Sequence, residues 1–147
     1  GSSYLDLSHI GLWRGGLNHD ERYDLADEWV DVVKRLWSEK TVTHKGKFYE
    51  LKDATMGPKP SRRPQMVNAG SSGRGFKFAA DNCDVALIAM GDDAKAIESS
   101  KQAKATARAM NRPDLKVNGL FILIPGESDE EARARLAHFD DGVDVEC

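Results

Sequence analysis

The stretch Val67-Asn68-Ala69-Gly70-Ser71-Ser72-Gly73-Arg74-Gly75-Phe76 holds the clearest chemistry in the chain. An apolar run enters a Gly/Ser-rich turn, and a helical pattern follows it. Gly70 permits a tight turn and close approach of the backbone. Ser71 and Ser72 offer hydroxyls, and a helix starting here offers unpaired amides, that of Gly73 included, with a partial positive charge. A phosphate dianion is a natural occupant of such a place. An ordinary capped loop without a ligand has the same composition, so spacing alone leaves both readings open. No Gly-Lys-Ser/Thr follows, which excludes a Walker loop. A G-x-G-x-x-G motif with a ribose-binding acid in the expected place is also missing.

A second constellation is His19-Asp20-Glu21-Arg22-Tyr23. Arg22 has the forked geometry that suits phosphate oxygens, and the Tyr23 hydroxyl can donate beside it. Taken alone, these residues are more simply read as a surface ion pair than as a ligand site. Other candidates are weaker. The acid pairs Asp92-Asp93, Glu130-Glu131 and Asp140-Asp141 fall at predicted helix ends, where carboxylates cap or are solvated rather than catalyse. No Gly-x-Ser-x-Gly occurs, and neither Cys83 nor Cys147 is paired by spacing with a histidine or another cysteine. No catalytic residue is assigned from the sequence, and no metal site is expected.

Positioning these residues requires a particular order of elements. Residues 1–17 follow neither helical nor strand periodicity and read as an irregular lead-in. A helix is predicted over Glu21–Ser38, with Ala26, Trp29, Val30, Val33, Leu36 and Trp37 as its apolar stripe and Asn18 or Asp20 as its cap. Asp31 and Arg35 are spaced for an i,i+4 pair on its polar face. A hairpin follows, Thr41–Thr43 and Lys47–Leu51 around a turn at His44–Gly46, and then a proline-rich connection over Gly57–Pro64. From there strands alternate with helices. The predicted strands are Gln65–Ala69, Asp84–Met90 and Val117–Ile124. The predicted helices are Ser72–Asn82 with Phe76, Ala79 and Ala80 inward, Asp93–Met110 capped by Asp92 or Asp93, and Ser128–Phe139 opened by a capping box. The second and third strands are nearly continuous apolar runs, the mark of parallel strands covered on both faces. The expected class is α/β with right-handed crossovers, either doubly wound or a (β/α)-barrel.

Composition narrows the function. The chain has 147 residues, 40% of them hydrophobic and 31% charged, with a net charge of −3. That balance argues against a nucleic-acid partner. The basic residues Lys101, Lys104, Arg108, Arg112 and Lys116 recur at helical spacing and read as a solvated helix face. No apolar run is long enough to span a bilayer, and the N-terminus lacks a signal-peptide pattern, so the cytoplasm is the default location.

Together the motifs resemble a known family. His19-Asp20-Glu21-Arg22-Tyr23, Val32-Val33-Lys34-Arg35-Leu36-Trp37, Lys45-Gly46-Lys47-Phe48-Tyr49, Pro58-Lys59-Pro60 and Asn68-Ala69-Gly70-Ser71-Ser72 occur in that order. The set is similar to the bacterial-luciferase-like flavin-dependent monooxygenases, in the branch acting on pyrimidine rings, nitrilotriacetate and alkanesulfonates. The resemblance covers about Asn18 to Val145 and leaves residues 1–17 outside it. It implies a partial TIM-type (β/α)-barrel with about three of the strands present. It implies reduced FMN, supplied by a separate flavin reductase, and dioxygen, activated as a flavin (hydro)peroxide to oxygenate a small organic substrate. Arg22 and Tyr23 match a pair that contacts FMN, and Ser72 matches a serine on its phosphate side. Ser71 and the Gly73 amide join them from the physics of the loop. Because three strands cannot close a barrel, an exposed sheet edge and apolar face are expected, as is a longer parent protein, a complementary piece or a homo-oligomer. A deazaflavin-dependent oxidoreductase of the same fold and a non-catalytic remnant binding phosphate or a partner are the alternatives.

Overall fold

A computed structural model describes His9 and residues 16–89 and 93–142. The rest of the lead-in up to residue 15, Met90 as a strand end and Asp92 as a cap lie outside the described residues, as does Cys147.

Helix α1 spans His19–Ser38 and starts earlier than its apolar stripe suggests, because Asn18 forms a full capping box. The Asn18 carboxamide oxygen accepts from the amides of Asp20 and Glu21, both at 3.0 Å, and the Glu21 carboxylate takes the Asn18 N–H at 2.8 Å. Tyr23, Val30 and Val32 are its buried residues. The predicted stripe is thus only partly right: Trp29 is half exposed, while Val32, off the stripe, is buried. The helix packs on α2 and on β1, so it has more than one inward face. Arg35 binds Glu39 at 2.8 Å rather than pairing with Asp31. Glu39 sits in extended backbone at the C-cap, where its carboxylate meets the guanidinium fork.

Strands β1 (Val42–Lys45) and β2 (Glu50–Ala54) pair antiparallel, with Lys45 opposite Glu50. Both strands lie further along the chain than periodicity implies. The turn falls over residues 46–49, closed by the Gly46 amide on the Tyr49 carbonyl.

The main sheet is parallel, in the order β3-β4-β5, from β3 (Val67–Asn68), β4 (Val85–Ala89) and β5 (Lys116–Leu120). Helices α2 (Gly73–Asn82), α3 (Asp93–Ala109) and α4 (Asp129–Asp141) follow the three strands in turn. β3 is shorter than expected because the Met66 amide bonds the Asp84 carboxylate instead of a strand. β5 stops at Leu120, opposite Ala89, and residues 121–124 have no ladder partner among the described residues. The expectation that the third strand is covered on both faces fails, since β5 is mostly exposed.

The core lies between α1, α2 and β4, built on Tyr23, Val30, Phe78, Ala79, Ala80 and Ala86. Phe76 and Ile88 pack with Ala103 of α3 in an adjoining cluster. Small residues on α2 and α3 let the helices sit close to the strands. α3 ends with Asn111 in the left-handed region at φ 56°, and the Arg112 amide reaches back to the Ala107 carbonyl. Arg112 is therefore not part of a solvated helix face. Its guanidinium bonds the Ala80 and Cys83 carbonyls at the end of α2. At α4, Ser128 accepts from the Glu131 amide, whereas the Glu131 carboxylate takes the Glu127 amide instead of closing the predicted box.

Candidate functional site

The loop after β3 lies at the C-terminal end of a parallel strand, where (β/α) folds build their sites. Ser72 caps α2 in extended backbone (φ −76°, ψ 162°), and its Oγ accepts from the Gly75 amide at 3.0 Å. Its hydroxyl proton remains available to point outward. The amides at the start of a helix have no intrahelical acceptor, and Gly73 faces open space: an added Cβ there would meet nothing within 4 Å. Ser71 and Gly73 are exposed and Ser72 is half-buried. An anion therefore has access, two hydroxyls, and a helix N-terminus to bind against.

Gly70 is required here for a reason other than a turn conformation. Its backbone is not in the left-handed region; Gly16 is the glycine with positive φ among the described residues. A Cβ at Gly70 would collide with the hydroxyl of Tyr23, and one at Gly75 would lie 2.7 Å from that hydroxyl and 2.9 Å from the Gly70 carbonyl. The Tyr23 hydroxyl thus sits between two glycines that bracket the Ser71-Ser72 loop. Asn68 adds a bond from its side-chain amide to the Gly75 carbonyl at 3.0 Å. The two constellations, far apart in sequence, meet through Tyr23. Arg22, its neighbour on α1, is half-buried and directs Nη1 to the Leu17 carbonyl at 3.4 Å.

The Tyr23 ring is boxed in. The His19 ring lies 5.3 Å away edge-on, Phe78 lies 5.6 Å away at a tilt, and the Arg74 guanidinium covers it at 5.4 Å from the centroid. Arg74 in turn binds Asp24 at 2.9 Å and Asp27 at 2.6 Å. Burial works against its charge, but the bonds to Asp27 and Asp24 outweigh it and raise the guanidinium above its ordinary value. Arg74 has no sequence signal of its own. Asp24 and Asp27 are three apart on one helix face, and only the fold shows that a cation nearly fifty positions later closes onto them.

This arrangement, a parallel (β/α) arc with a serine-capped helix start at the C-terminal end of a strand, defines an α/β class of alternating strands and helices. The chain matches the model of the luciferase-like monooxygenase family over residues 9–144. It belongs to that family, whose members are flavin-dependent monooxygenases. The match begins ahead of Asn18. The chain is 30% identical to the dimethyl-sulfide monooxygenase of Hyphomicrobium sulfonivorans, over 94% of this chain and 34% of that protein. It is 31% identical to the pyrimidine monooxygenase RutA of Rhizobium rhizogenes, over 97% of this chain and 40% of that one. The crystal structure of the long-chain alkane monooxygenase LadA superposes with a TM-score of 0.72 at 26% identity, over 92% of this chain and 37% of LadA. The fold is accordingly a partial TIM-type barrel, and the chain spans about a third to two fifths of the length of these relatives. Among the described residues no helix is long and apolar enough to cross a membrane.

Proposed function

We infer that the chain forms the phosphate-side half-site of a reduced-FMN-dependent monooxygenase acting on a small organic substrate. The observation that carries this reading is the meeting of Tyr23 with the Gly70–Gly75 loop at an open helix N-terminus. The donors present suit a phosphate monoester. Ser72 donates from a hydroxyl already fixed by its cap, Ser71 adds a second hydroxyl, and the Gly73 amide lies on the helix axis. Tyr23 would close the site from α1 through the glycines it meets at the loop, with Arg22, its neighbour, turning to the phosphate. When bound, reduced FMN would supply the electrons that let dioxygen deliver one oxygen atom to the substrate. The work of this chain is to hold and orient the flavin's phosphate end. Delivery of reduced flavin by a separate reductase belongs to the same proposal. So does the substrate class, which follows relatives named for dimethyl sulfide, pyrimidines and long-chain alkanes.

The test is titration of the chain with FMN, followed by flavin fluorescence with inorganic phosphate as competitor. Saturable binding displaced by phosphate is expected. Ser72→Ala and Arg22→Ala should each weaken it by about 1–3 kcal/mol, the range for a hydrogen bond to a charged group. Unchanged affinity in both variants would overturn the assignment.

A further inference from the structure

We propose that Arg74 is the positioning residue of this site, holding the Tyr23 ring so that its hydroxyl stays between Gly70 and Gly75. The proposal rests on the FMN reading only for its functional consequence, since the geometry stands by itself.

Arg74 occupies the second position of α2, after the Ser72 cap and Gly73. A cation there opposes the helix dipole, and a free guanidinium would turn outward to solvent or to an incoming anion. Arg74 does neither. Its side chain is 16% exposed, and Nη2 is shared between Asp24 and Asp27. Nη1 is buried without a hydrogen-bond partner among the described residues. The group is thus held in a place that leaves one of its donors unsatisfied, against the general rule for buried polar atoms. What that place provides is a cation over the Tyr23 ring. Asn82 fixes the other oxygen of Asp27 at 2.7 Å, and Lys34 fixes Asn82 at 2.9 Å, so the acid that holds Arg74 is itself anchored. With Phe78 and His19 on the remaining sides, the phenol has little freedom. Because Arg74 spends its charge on two carboxylates, the loop offers phosphate hydroxyls and amides rather than this guanidinium. Arg74 acts on the ligand through Tyr23.

A simple clamp between α1 and α2 would show the same ion pairs, so the test must separate the two roles. In a double-mutant cycle on the full chain, Arg74→Met and Tyr23→Phe should each weaken FMN binding about tenfold, and the double variant should be no weaker than either alone. Additive losses would overturn the proposal. A second readout needs no flavin: in nitrogen-15 spectra of the free chain, R74M should move the Gly70 and Ser71 amides, which are not sequence neighbours of position 74. It should move them less where Tyr23 is already phenylalanine, a dependence that a simple clamp lacks. Amides that stay in place overturn the proposal whether or not FMN binds. If they move in a chain that does not bind FMN, the positioning role stands and the FMN reading fails. Should R74M not fold, Arg74→Lys keeps a charge but lacks the planar fork. It should shift the same amides, and a lysine variant indistinguishable from the parent would count against Arg74.

Discussion

Tyr23 shows how a single hydroxyl dictates its neighbours. Both glycines that face it are small because the phenol occupies the space a side chain would need. Gly70→Ala should therefore cost about 1–3 kcal/mol of stability, the usual range for overpacking a close-packed site. Most of that cost should vanish in a Tyr23→Phe background, where the colliding oxygen is gone. Chemical denaturation of the four chains measures this, and an undiminished penalty in the phenylalanine background would show that Gly70 answers to the backbone instead. Gly75→Ala should not be rescued in the same way, because its Cβ also meets the Gly70 carbonyl. The sequence made the loop legible as a βα turn with a serine cap, since Gly and Ser at a strand-to-helix junction have few other uses. It could not show that Gly70 answers to Tyr23. That pairing joins residues of α1 and the loop, and no local pattern encodes it. Arg74 was hidden for the same reason.

At the level of elements, the β1–β2 hairpin is held by one side chain of α1. The Glu28 carboxylate of α1 accepts from His44 Nε2 at 2.9 Å, the Phe48 amide at 3.0 Å and the Tyr49 amide at 2.9 Å. Gly46 leaves room for it, as a Cβ there would run into the carboxylate. This grip draws residues 46–49 into the turn, which is why alternation alone put the strands too early. Burial works against the charge of Glu28, but the His44 and backbone bonds outweigh it and hold the carboxyl below its ordinary value of 4.5. A carboxyl lowered in the folded state stabilises the fold fully above its unfolded value and loses that contribution as pH falls through the folded one. The hairpin should thus stay docked at neutral pH and loosen below pH 4.5. Hydrogen exchange at the Phe48 and Tyr49 amides, followed from pH 6 down to about 3 after correction for intrinsic rates, reads this directly. Glu28→Gln should show the loosened exchange at every pH. Equal protection in that variant would mean that the charge is not what holds the turn. Helices were the more legible elements, because their caps and apolar spacing are local, whereas the hairpin register is set from α1.

At the scale of the molecule, the strand–helix rhythm was readable from the apolar runs, but burial was not. Apolar runs report what a strand is built to pack against, and here that surface is incompletely covered. Leu120, Phe121, Ile122 and Leu123 run from the end of β5 beyond its last described pair, with Ile122 90% and Leu123 87% exposed. α4 has no buried residue, and its Leu136 and Phe139 are exposed too. Adjacent large apolar side chains on an open sheet edge form the kind of surface that drives association. The chain should therefore sediment with a concentration-dependent coefficient and bind an apolar dye such as anilinonaphthalene sulfonate. Replacing Ile122 and Leu123 together by glutamate should lower both signals, since each side chain stands in solvent and the change removes apolar surface without opening a cavity. The folding free energy should stay within about 0.5 kcal/mol of the parent, as expected for surface positions. A large loss of stability would instead mean that the pair is packed in solution. Dye binding and sedimentation that do not change would place the adhesive surface elsewhere, with the exposed Leu136 and Phe139 of α4 as the next residues to replace.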